Sequence, residues 1–381
     1  MQFPVSRFAN IATPFYYYDL SLLHKTLRQV VEFSNTPGFN VHYAVKANDN
    51  PEILKLIQSY GLGVDTVSGG EIERAIECGF NPSQIVYAGV GKTDFEIINA
   101  LKAGIGCFNV ESIEELDVIS ELAEKHNIVA PVSLRVNPEI DAHTHHYITT
   151  GLAENKFGLS LSVIFDVVRK CIENQWISFR GLHFHIGSQI TITEPYKKLC
   201  ERINDLQNKF ESFGLDVPTI NVGGGLGIDY DNPDSNPIPD FKSYFDVFRD
   251  HLELRKGQEL HFELGRSIVG QCGSLVTRVL YVKQGISRKF VIVDGGMTDL
   301  LRPALYQAHH KIENISSSAA ETQVYDVVGP ICESSDTFGT DEILPTTERG
   351  DFIALRSAGA YGETMSSTYN RRSLPKSVFS L

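Results

Sequence analysis

The sequence predicts an α/β protein that combines a (β/α)8 barrel of the TIM type with a C-terminal all-β domain, either a sandwich or a barrel. Short apolar segments alternate with helical patterns up to about residue 265. Beyond that point the segments are β-rich and lack helical periodicity. An open doubly wound sheet would also alternate strands and helices, but it usually has roughly five to seven strands.

The predicted barrel strands are short runs of β-branched and apolar residues bounded by turn residues. They are VHYAVKA (41–47), GVDTVS (63–68), IVYAG (85–89), CFNV (107–110), VSLRVN (132–137), GLHFHIG (181–187), TINVGGG (219–225) and ELHFELG (259–265). Eight such strands match the strand count of a closed (β/α)8 barrel.

Helical patterns with apolar residues three and four positions apart separate most of these strands. They cover residues 51–60, 71–78, 94–103, 113–125, 163–174, 196–213 and 241–254, and a further one at 22–33 precedes the first strand. Ser112 followed by Glu115 has the spacing of a capping box, in which each side chain satisfies a backbone N–H of the first helical turn.

The second domain is predicted from β-rich segments that Gly, Asn, Ser and Asp turns separate. They include SLVTRVLYVKQG, KFVIVDGG, ETQVYDVVGP and DFIALRSAGAY. The N-terminal FYYYD also reads as extended and can add a strand. We therefore expect a barrel at 22–265 and a β domain formed by 1–21 and 266–381.

The composition excludes several classes of function. With 34 Lys and Arg against 47 Asp and Glu, the net charge is −13, which disfavours binding to nucleic acid or to an anionic membrane. No apolar run reaches the roughly 18–20 residues that span a bilayer. The six cysteines form no C-x-x-C pair, and the first twenty residues lack the pattern of a secretory signal. We expect a cytoplasmic protein without disulfides or a thiolate zinc site.

Polar residues lie where the predicted strands end, which is the mouth at which barrel active sites form. They are Lys46, Asp65, Ser68, His183, His185, Gly187, Ser188, the glycine-rich turn at 223–227, Glu263 and Arg266. Five strand ends thus supply groups that would converge on one mouth.

Several of these residues have more than one interpretation. Lys46 is either a lysine that reaches solvent from the rim or a desolvated amine able to form a Schiff base. His185 is a core histidine, a base, or a flat ring stacked on a cofactor. Glu263 and Arg266 also fit an ordinary i,i+3 ion pair. The turn at 223–227 could cradle a phosphate with its backbone N–H groups or simply make a tight turn.

Other candidate motifs are weaker. His143, His145 and His146 resemble metal ligands, but they have no nearby Cys and no H-E-x-x-H spacing, so a solvated loop at the active site is the preferred interpretation and no metal is predicted. Gly91-Lys92-Thr93 resembles the end of a phosphate-binding loop, yet Val86 stands where that motif requires glycine.

A set of motifs in fixed order resembles the fold-type III pyridoxal phosphate decarboxylases, which act on diaminopimelate, ornithine and arginine. The motifs are YAVKAN, VSGGE, HFHIGSQ, NVGGGLGI, ELGRS, DGGMTDLLRPALY, CESSD and GAYGETMSSTYN. Within this group the diaminopimelate decarboxylase family is the most similar. The resemblance implies an alanine-racemase-like barrel, a C-terminal β domain and pyridoxal 5'-phosphate as the cofactor. One departure is Leu264 where the group usually has proline.

The resemblance also implies roles for individual residues. Lys46, His185 and Cys332 would be catalytic, with Lys46 holding the cofactor, His185 stacking on its ring and Cys332 protonating the product. The cofactor would be bound by Lys46, Asp65, His185, Ser188, Gly223, Gly224, Gly225, Glu263, Gly265, Arg266 and Tyr361. The substrate would contact Arg266, Arg302, Tyr306, Glu333 and Tyr361. The CESSD segment would enter the active site of a second subunit, which implies a homodimer.

The substrate implied by the resemblance also fits the chemistry of these residues. Meso-2,6-diaminopimelate has an amino acid centre at each end, so its distal carboxylate needs cations such as Arg266 and Arg302, and its distal ammonium needs an acceptor such as Glu333. We therefore expect decarboxylation to L-lysine, the last step of lysine biosynthesis. The alternatives are a decarboxylase of another diamino acid or of carboxynorspermidine, a racemase, and a non-catalytic regulator.

Overall fold

The computed structural model describes residues 3–140 and 156–380. The chain forms two compact units. The barrel unit consists of Leu27–Gly227 and Asp240–Gly265, and the β unit consists of Met1–Thr26, Ile228–Pro239 and Arg266–Leu381. Within the described residues, no helix combines the length and the apolar character that crossing a membrane requires.

The elements of the described residues are numbered in chain order. The strands are β1 (Phe15–Tyr18), β2 (Phe39–Ala44), β3 (Gly63–Thr66), β4 (Ile85–Tyr87), β5 (Cys107–Val110), β6 (Ala130–Arg135), β7 (Ile177–His183), β8 (Thr219–Asn221), β9 (Glu259–Leu264), β10 (Gly273–Gln284), β11 (Lys289–Val293), β12 (Ile312–Asn314), β13 (Thr322–Val328), β14 (Thr337–Pro345), β15 (Phe352–Leu355) and β16 (Lys376–Phe379). The α-helices are α1 (Val5–Phe8), α2 (Leu20–Phe33), α3 (Pro51–Ser59), α4 (Gly69–Glu77), α5 (Asp94–Ala103), α6 (Ile113–His126), α7 (Ile164–Glu173), α8 (Glu194–Ser212), α9 (Phe241–His251), α10 (Arg266–Val269) and α11 (Arg302–Tyr306).

Strands β2 to β9 form a closed parallel barrel, which confirms the predicted fold class. The barrel closes where β2 pairs with β9, with His42 opposite Glu263. The predicted strand at 41–47 is shorter in the structure, because residues Val45–Ala47 form a 3-10 turn after β2. Lys46 therefore lies just beyond the strand, at its carboxyl end.

The helix caps explain where several barrel helices begin. Ser112 accepts a hydrogen bond from the Glu115 amide at the start of α6, but the Glu115 carboxylate binds Lys92 at 2.6 Å and the Glu111 amide instead of closing a capping box. The complete capping box of α5 is formed by Thr93 and Glu96. The Gly91-Lys92-Thr93 segment thus contributes a helix cap and a buried ion pair.

An aromatic cluster fills one part of the barrel unit. The ring of Phe262, on β9, lies 5.0–5.9 Å from the rings of Phe39, Tyr244, Phe245 and Phe248, counted between centroids. Phe262 is completely buried. Because β9 also carries Glu263, this packing fixes the strand that places the central carboxylate.

The β unit is built around an eight-stranded sheet with the order β12-β15-β10-β11-β13-β14, to which β1 and β16 are added. β1 runs antiparallel to β10 and parallel to β16, with Phe15 opposite both Val276 and Lys376. The N-terminal segment therefore contributes a strand to this sheet, as the sequence predicts.

The observed units differ from the predicted ranges at residues 22–26, which belong to the β unit, and in one internal segment. Residues 228–239 lie inside the predicted barrel range of 22–265, but they belong to the β unit. Polar contacts explain the difference, because Arg356 binds Asp234 at 2.7 Å and Gln271 donates to two backbone carbonyls of the segment. Arg356 and Gln271 are buried residues of the β unit, so they hold the segment there.

We predict that Phe262→Ala lowers the free energy of unfolding by about 3–5 kcal/mol, because it empties a buried aromatic position. The matched control is Phe95→Ala on α5, whose side chain is 71% exposed and whose loss should change stability by less than about 0.5 kcal/mol. Urea unfolding followed by circular dichroism measures both. Equal effects of the two substitutions would contradict this account of the barrel core.

Candidate active site

Lys46 forms an ion pair with Asp65 at the carboxyl ends of two neighbouring strands. The Nζ atom of Lys46 lies 2.6 Å from Oδ2 of Asp65, and the lysine side chain is 38% exposed whereas Asp65 is buried. Burial and the charge of Glu263 raise the pKa of Asp65, and Lys46 opposes that rise. The second oxygen of Asp65, Oδ1, is buried without a hydrogen-bond partner among residues 3–140 and 156–380.

Glu263 is a buried carboxylate held by three side chains. Its Oε1 accepts hydrogen bonds from Nδ2 of Asn109 at 3.1 Å and Nδ2 of Asn221 at 2.7 Å, and its Oε2 lies 3.1 Å from Nε2 of His183. Burial raises the pKa of Glu263, but the charges of His183 and Lys46 outweigh burial and bring it below its ordinary value. Glu263 is therefore ionised in the interior of the barrel.

Asn221 also ties Glu263 to the glycine-rich turn. Its Oδ1 accepts a hydrogen bond from the Gly223 amide at 2.9 Å, and the Gly223 carbonyl accepts one from the Glu263 amide at 2.8 Å. Gly223 has a φ of +68°, and a Cβ on Gly224 would lie 1.9 Å from the Glu263 carbonyl oxygen. The turn, which Gly225 continues, therefore requires glycine for its close approach to β9.

His185 lies in the loop after β7 and is partly accessible. The Gly224 amide donates to its Nδ1 at 3.4 Å. Burial and the charge of Arg135 lower the pKa of His185 to about 3, so the ring is neutral near pH 7. The charge of Lys46 also lowers this pKa, whereas the charge of Glu263 opposes the shift.

The two remaining predicted residues of the barrel unit lie in loops. Ser188 is half-buried in the loop that follows β7, three residues after His185. Gly265 is buried and separates β9 from α10, so it directly follows the strand that carries Glu263.

Two buried arginines lie near Tyr230 in the β unit. Arg266 donates from Nη1 to the Tyr230 hydroxyl at 2.6 Å, and its guanidinium lies 4.9 Å from the centre of the Tyr361 ring. The guanidinium of Arg302 lies 4.8 Å from the centre of the Tyr230 ring. Tyr306, which is half-buried, acts electrostatically on both arginines. The structure thus brings together four predicted residues: Arg266, Arg302, Tyr306 and Tyr361.

Cys332 and Glu333 are exposed in the turn between β13 and β14. Asp336 holds this turn, because its two oxygens accept hydrogen bonds from the Met297 and Ile331 amides at 2.6 Å each. Within the single chain, Glu333 accepts a hydrogen bond from the Tyr369 hydroxyl at 2.9 Å. The turn therefore presents a thiol and a carboxylate on the surface.

The residues that hold the charged groups in place are not among the predicted cofactor-binding or substrate-binding residues. Asn109 and Asn221 were part of predicted strands, and His183 was recognised only as a strand end, although all three are buried. The sequence signal that could have found them is a polar residue inside an apolar strand. Such a residue is buried, and a buried polar group requires a hydrogen-bond partner. Tyr230 and His310 carried no such signal because they lie outside predicted strands.

The metal interpretation of His143, His145 and His146 cannot be placed, because these residues lie outside the described part of the chain. Elsewhere in residues 3–140 and 156–380, no three His, Cys, Asp or Glu side chains form a group that could hold a metal ion.

Comparison with known proteins gives the family. The sequence profile of the pyridoxal-dependent decarboxylase, pyridoxal binding domain, matches residues 23–270. This chain belongs to the pyridoxal-dependent decarboxylase family. Diaminopimelate decarboxylase of Bacteroides thetaiotaomicron is 57% identical over 375 residues, which cover 98% of this chain and 97% of that relative.

Solved structures of the family share the fold of the decarboxylase described here. Diaminopimelate decarboxylase from Helicobacter pylori complexed with L-lysine superposes with a TM-score of 0.92 at 40% identity, covering 98% of this chain and 93% of that one. The corresponding enzyme from M. jannaschii in co-complex with L-lysine gives a TM-score of 0.91 at 34% identity, covering 99% and 89%. The predicted barrel and β domain are thereby confirmed.

The cofactor of the family is pyridoxal phosphate, and the barrel residues fit it. Lys46 supplies an amine of the kind that condenses with an aldehyde, and Glu263 supplies an anion of the kind that pairs with a pyridinium nitrogen. His185 supplies a neutral, partly accessible ring. The free Oδ1 of Asp65 is a further acceptor beside the lysine.

We predict that Asn221→Leu destabilises the decarboxylase by about 2–4 kcal/mol at pH 7, because Glu263 loses a donor and the Gly223 amide loses its acceptor. The pKa of Glu263 is lowered by folding, so its ionisation favours the folded state above the ordinary value of 4.5 and does so less as the pH falls. The difference in the free energy of unfolding between Asn221→Leu and the unsubstituted enzyme should therefore become smaller as the pH falls below 4.5.

Urea unfolding at several pH values measures this effect. The matched control is Asn40→Leu, because Asn40 is exposed on the barrel strand β2 and does not contact Glu263. A constant difference across the whole pH range would argue against the assigned ionisation of Glu263.

Proposed function

We propose that this decarboxylase converts meso-2,6-diaminopimelate to L-lysine and CO2 with pyridoxal 5'-phosphate, as the last step of lysine biosynthesis. The observation that supports it most is the pair of buried guanidiniums at Tyr230: Arg266 contacts the hydroxyl, and Arg302 lies over the ring. Ornithine and arginine carry only a basic group at the distal end, so two arginines would repel them. Diaminopimelate carries a carboxylate there, which arginines bind with charge-assisted hydrogen bonds.

We assign the cofactor to the residues of the barrel mouth. Lys46 would hold the aldehyde carbon, His185 would stack on the ring, and Glu263 would keep the ring nitrogen protonated. The bound cofactor supplies an acceptor for the electron pair that the breaking bond to CO2 releases. Asp65 would orient the Lys46 amine. The phosphate and its surroundings would be held by Ser188, Gly223, Gly224, Gly225, Gly265, Arg266 and Tyr361.

The remaining residues would recognise the substrate and handle its proton. Arg266, Arg302, Tyr306 and Tyr361 would contact the distal carboxylate and its neighbourhood, and Glu333 would accept hydrogen bonds from the distal ammonium. Cys332 would act as the acid, since the carbon that loses CO2 must gain one proton, and the thiol of Cys332 would deliver it from Sγ.

We further propose a cytoplasmic homodimer in which Cys332 and Glu333 serve the active site of the partner subunit. The turn exposes Cys332 and Glu333 and is held by two hydrogen bonds to Asp336, as a segment inserted into another subunit would be. All six cysteines are free, which fits a reducing compartment.

The proposed reaction is tested by incubating the protein and pyridoxal phosphate with meso-diaminopimelate, ornithine, lysine, arginine and carboxynorspermidine. We expect CO2 from diaminopimelate in at least 100-fold preference to the others, roughly the cost of leaving charged groups unpaired. Greater turnover of carboxynorspermidine or of another diamino acid would favour the alternative decarboxylase instead.

The same preparation tests the role of Lys46. Borohydride reduction followed by peptide mass spectrometry should place the cofactor mass on the peptide with Lys46, and Lys46→Ala should lose both the label and the activity. Lys55→Ala, at an exposed lysine of α3, should keep both. A label on a different lysine would refute the assignment.

The composite site is tested by mixing two inactive variants, Lys46→Ala and Cys332→Ala, under conditions that exchange subunits. If one subunit supplies Lys46 and the other supplies Cys332, half of the dimers are mixed and each has one intact site, so roughly a quarter of the normal activity returns. If each subunit completes its own site, every site keeps a defect and no activity returns. Ultracentrifugation of the same mixtures gives the oligomeric state.

A further inference from the structure

His310 is a completely buried histidine. It contacts Arg302, which lies eight positions earlier in the chain. Helix α11 begins at Arg302 and ends where Gln307 takes a left-handed conformation, with a φ of +54°. The chain then turns back and places Nε2 of His310 2.7 Å from Nη1 of Arg302. A short helix followed by a tight reversal therefore brings the imidazole onto the guanidinium.

The hydrogen bonds of His310 fix the position of its proton. Its Nδ1 lies 2.8 Å from the backbone carbonyl oxygen of Arg356, which can only accept, so Nδ1 carries the hydrogen. Arg302 can only donate, so Nε2 is the acceptor. Burial and the charge of Arg302 lower the pKa of His310 to about 3, in agreement with a neutral ring that has this one tautomer.

The guanidinium of Arg302 retains its charge and part of its donor capacity. Within residues 3–140 and 156–380, no carboxylate forms an ion pair with Arg302, and its Nε is buried without a hydrogen-bond partner. The guanidinium of Arg302 lies over the Tyr230 ring, and that ring contacts the His310 ring edge to face, with centroids 5.1 Å apart. Arg302 is thus held between an aromatic face and a neutral acceptor.

We propose that His310 is a positioning residue for substrate recognition: as a neutral acceptor it fixes the guanidinium of Arg302 so that the remaining donors face the distal carboxylate of the substrate. This inference rests on the proposed function. A carboxylate in place of His310 would also hold Arg302, but it would neutralise the charge that the substrate requires. A neutral imidazole orients the guanidinium of Arg302 without competing with the substrate carboxylate for its charge.

The test compares ligands that do and do not carry the carboxylate. Decarboxylation removes one carboxylate of diaminopimelate, so L-lysine keeps the group that Arg302 would bind, whereas cadaverine lacks it. Inhibition constants of both ligands, KM, kcat and cofactor content are measured on the holoenzyme with His310→Phe, His310→Met and His310→Gln. The matched control is His309→Gln, because His309 is the exposed neighbour in the same loop.

We expect His310→Phe and His310→Met to raise the KM for diaminopimelate and the inhibition constant of L-lysine by roughly 10- to 100-fold, as a lost hydrogen bond to a charged group predicts. The inhibition constant of cadaverine should change by less than about threefold. The same limit should hold for kcat and for the cofactor content. His310→Gln should restore most of the affinity for L-lysine, because an amide oxygen can accept from Arg302 while its NH2 donates to the Arg356 carbonyl. His309→Gln should have no effect.

The outcomes separate this inference from the proposed function. If Arg302→Ala leaves the affinity for L-lysine unchanged, the assigned role of Arg302 fails. If Arg302→Ala weakens the binding of L-lysine but the His310 variants do not, only the role of His310 is refuted. An equal loss of affinity for L-lysine and cadaverine would also refute it, because that result describes a general disturbance of the fold. In the Arg302→Ala background, His310→Phe should cause no further loss of affinity for L-lysine.

Discussion

The ionised carboxylate of Glu263, buried where β9 meets the interior of the barrel, is the constraint on which the candidate active site depends. A carboxylate in an apolar interior normally takes up a proton, because burial disfavours its charge. Here Asn109, Asn221 and His183 supply donors from three other strands, and only a closed barrel brings these strands around one point. The fold and the charge of Glu263 are therefore linked. Burial in the barrel disfavours the ionised carboxylate, and the barrel strands also supply the hydrogen-bond donors that offset this effect.

Much of the fold could be predicted from the sequence, because alternation of apolar strands and amphipathic helices is a local signal. All eight barrel strands were located, and the helix at 94–103 was predicted with its observed bounds. The apolar residues around Lys46 in YAVKA predict a strand there, yet the chain forms a 3-10 turn at Val45–Ala47. The membership of residues 228–239 in the β unit could not be predicted, since it depends on contacts with Arg356, far away in the sequence.

The charged residues of the candidate site could be recognised from motifs, whereas the residues that control them could not. Glu263 and Arg302 stand in motifs through which the sequence resembles the decarboxylase family. Asn221 and His310 act through partners that are 42 and eight positions away, and such pairings arise only when the chain is folded. A polar residue in an apolar strand indicates that a partner must exist, but it does not identify the partner.

The buried charge of Glu263 in the barrel unit and that of Arg302 in the β unit have opposite surroundings, and the difference fits the roles proposed for the two residues. Glu263 is surrounded by donors that keep it ionised without a cofactor, and in the proposed function this anion would pair with the cofactor nitrogen. Arg302 is held by a neutral imidazole and an aromatic ring, and no carboxylate of the described residues pairs with it. A guanidinium that has no anion of its own gains most from binding one, so the missing counter-charge favours a ligand with a distal carboxylate over one with a distal cation. If Arg302 binds the substrate as proposed, selectivity for a dicarboxylic substrate would depend on the lack of a carboxylate beside Arg302 among the described residues as much as on the arginines themselves.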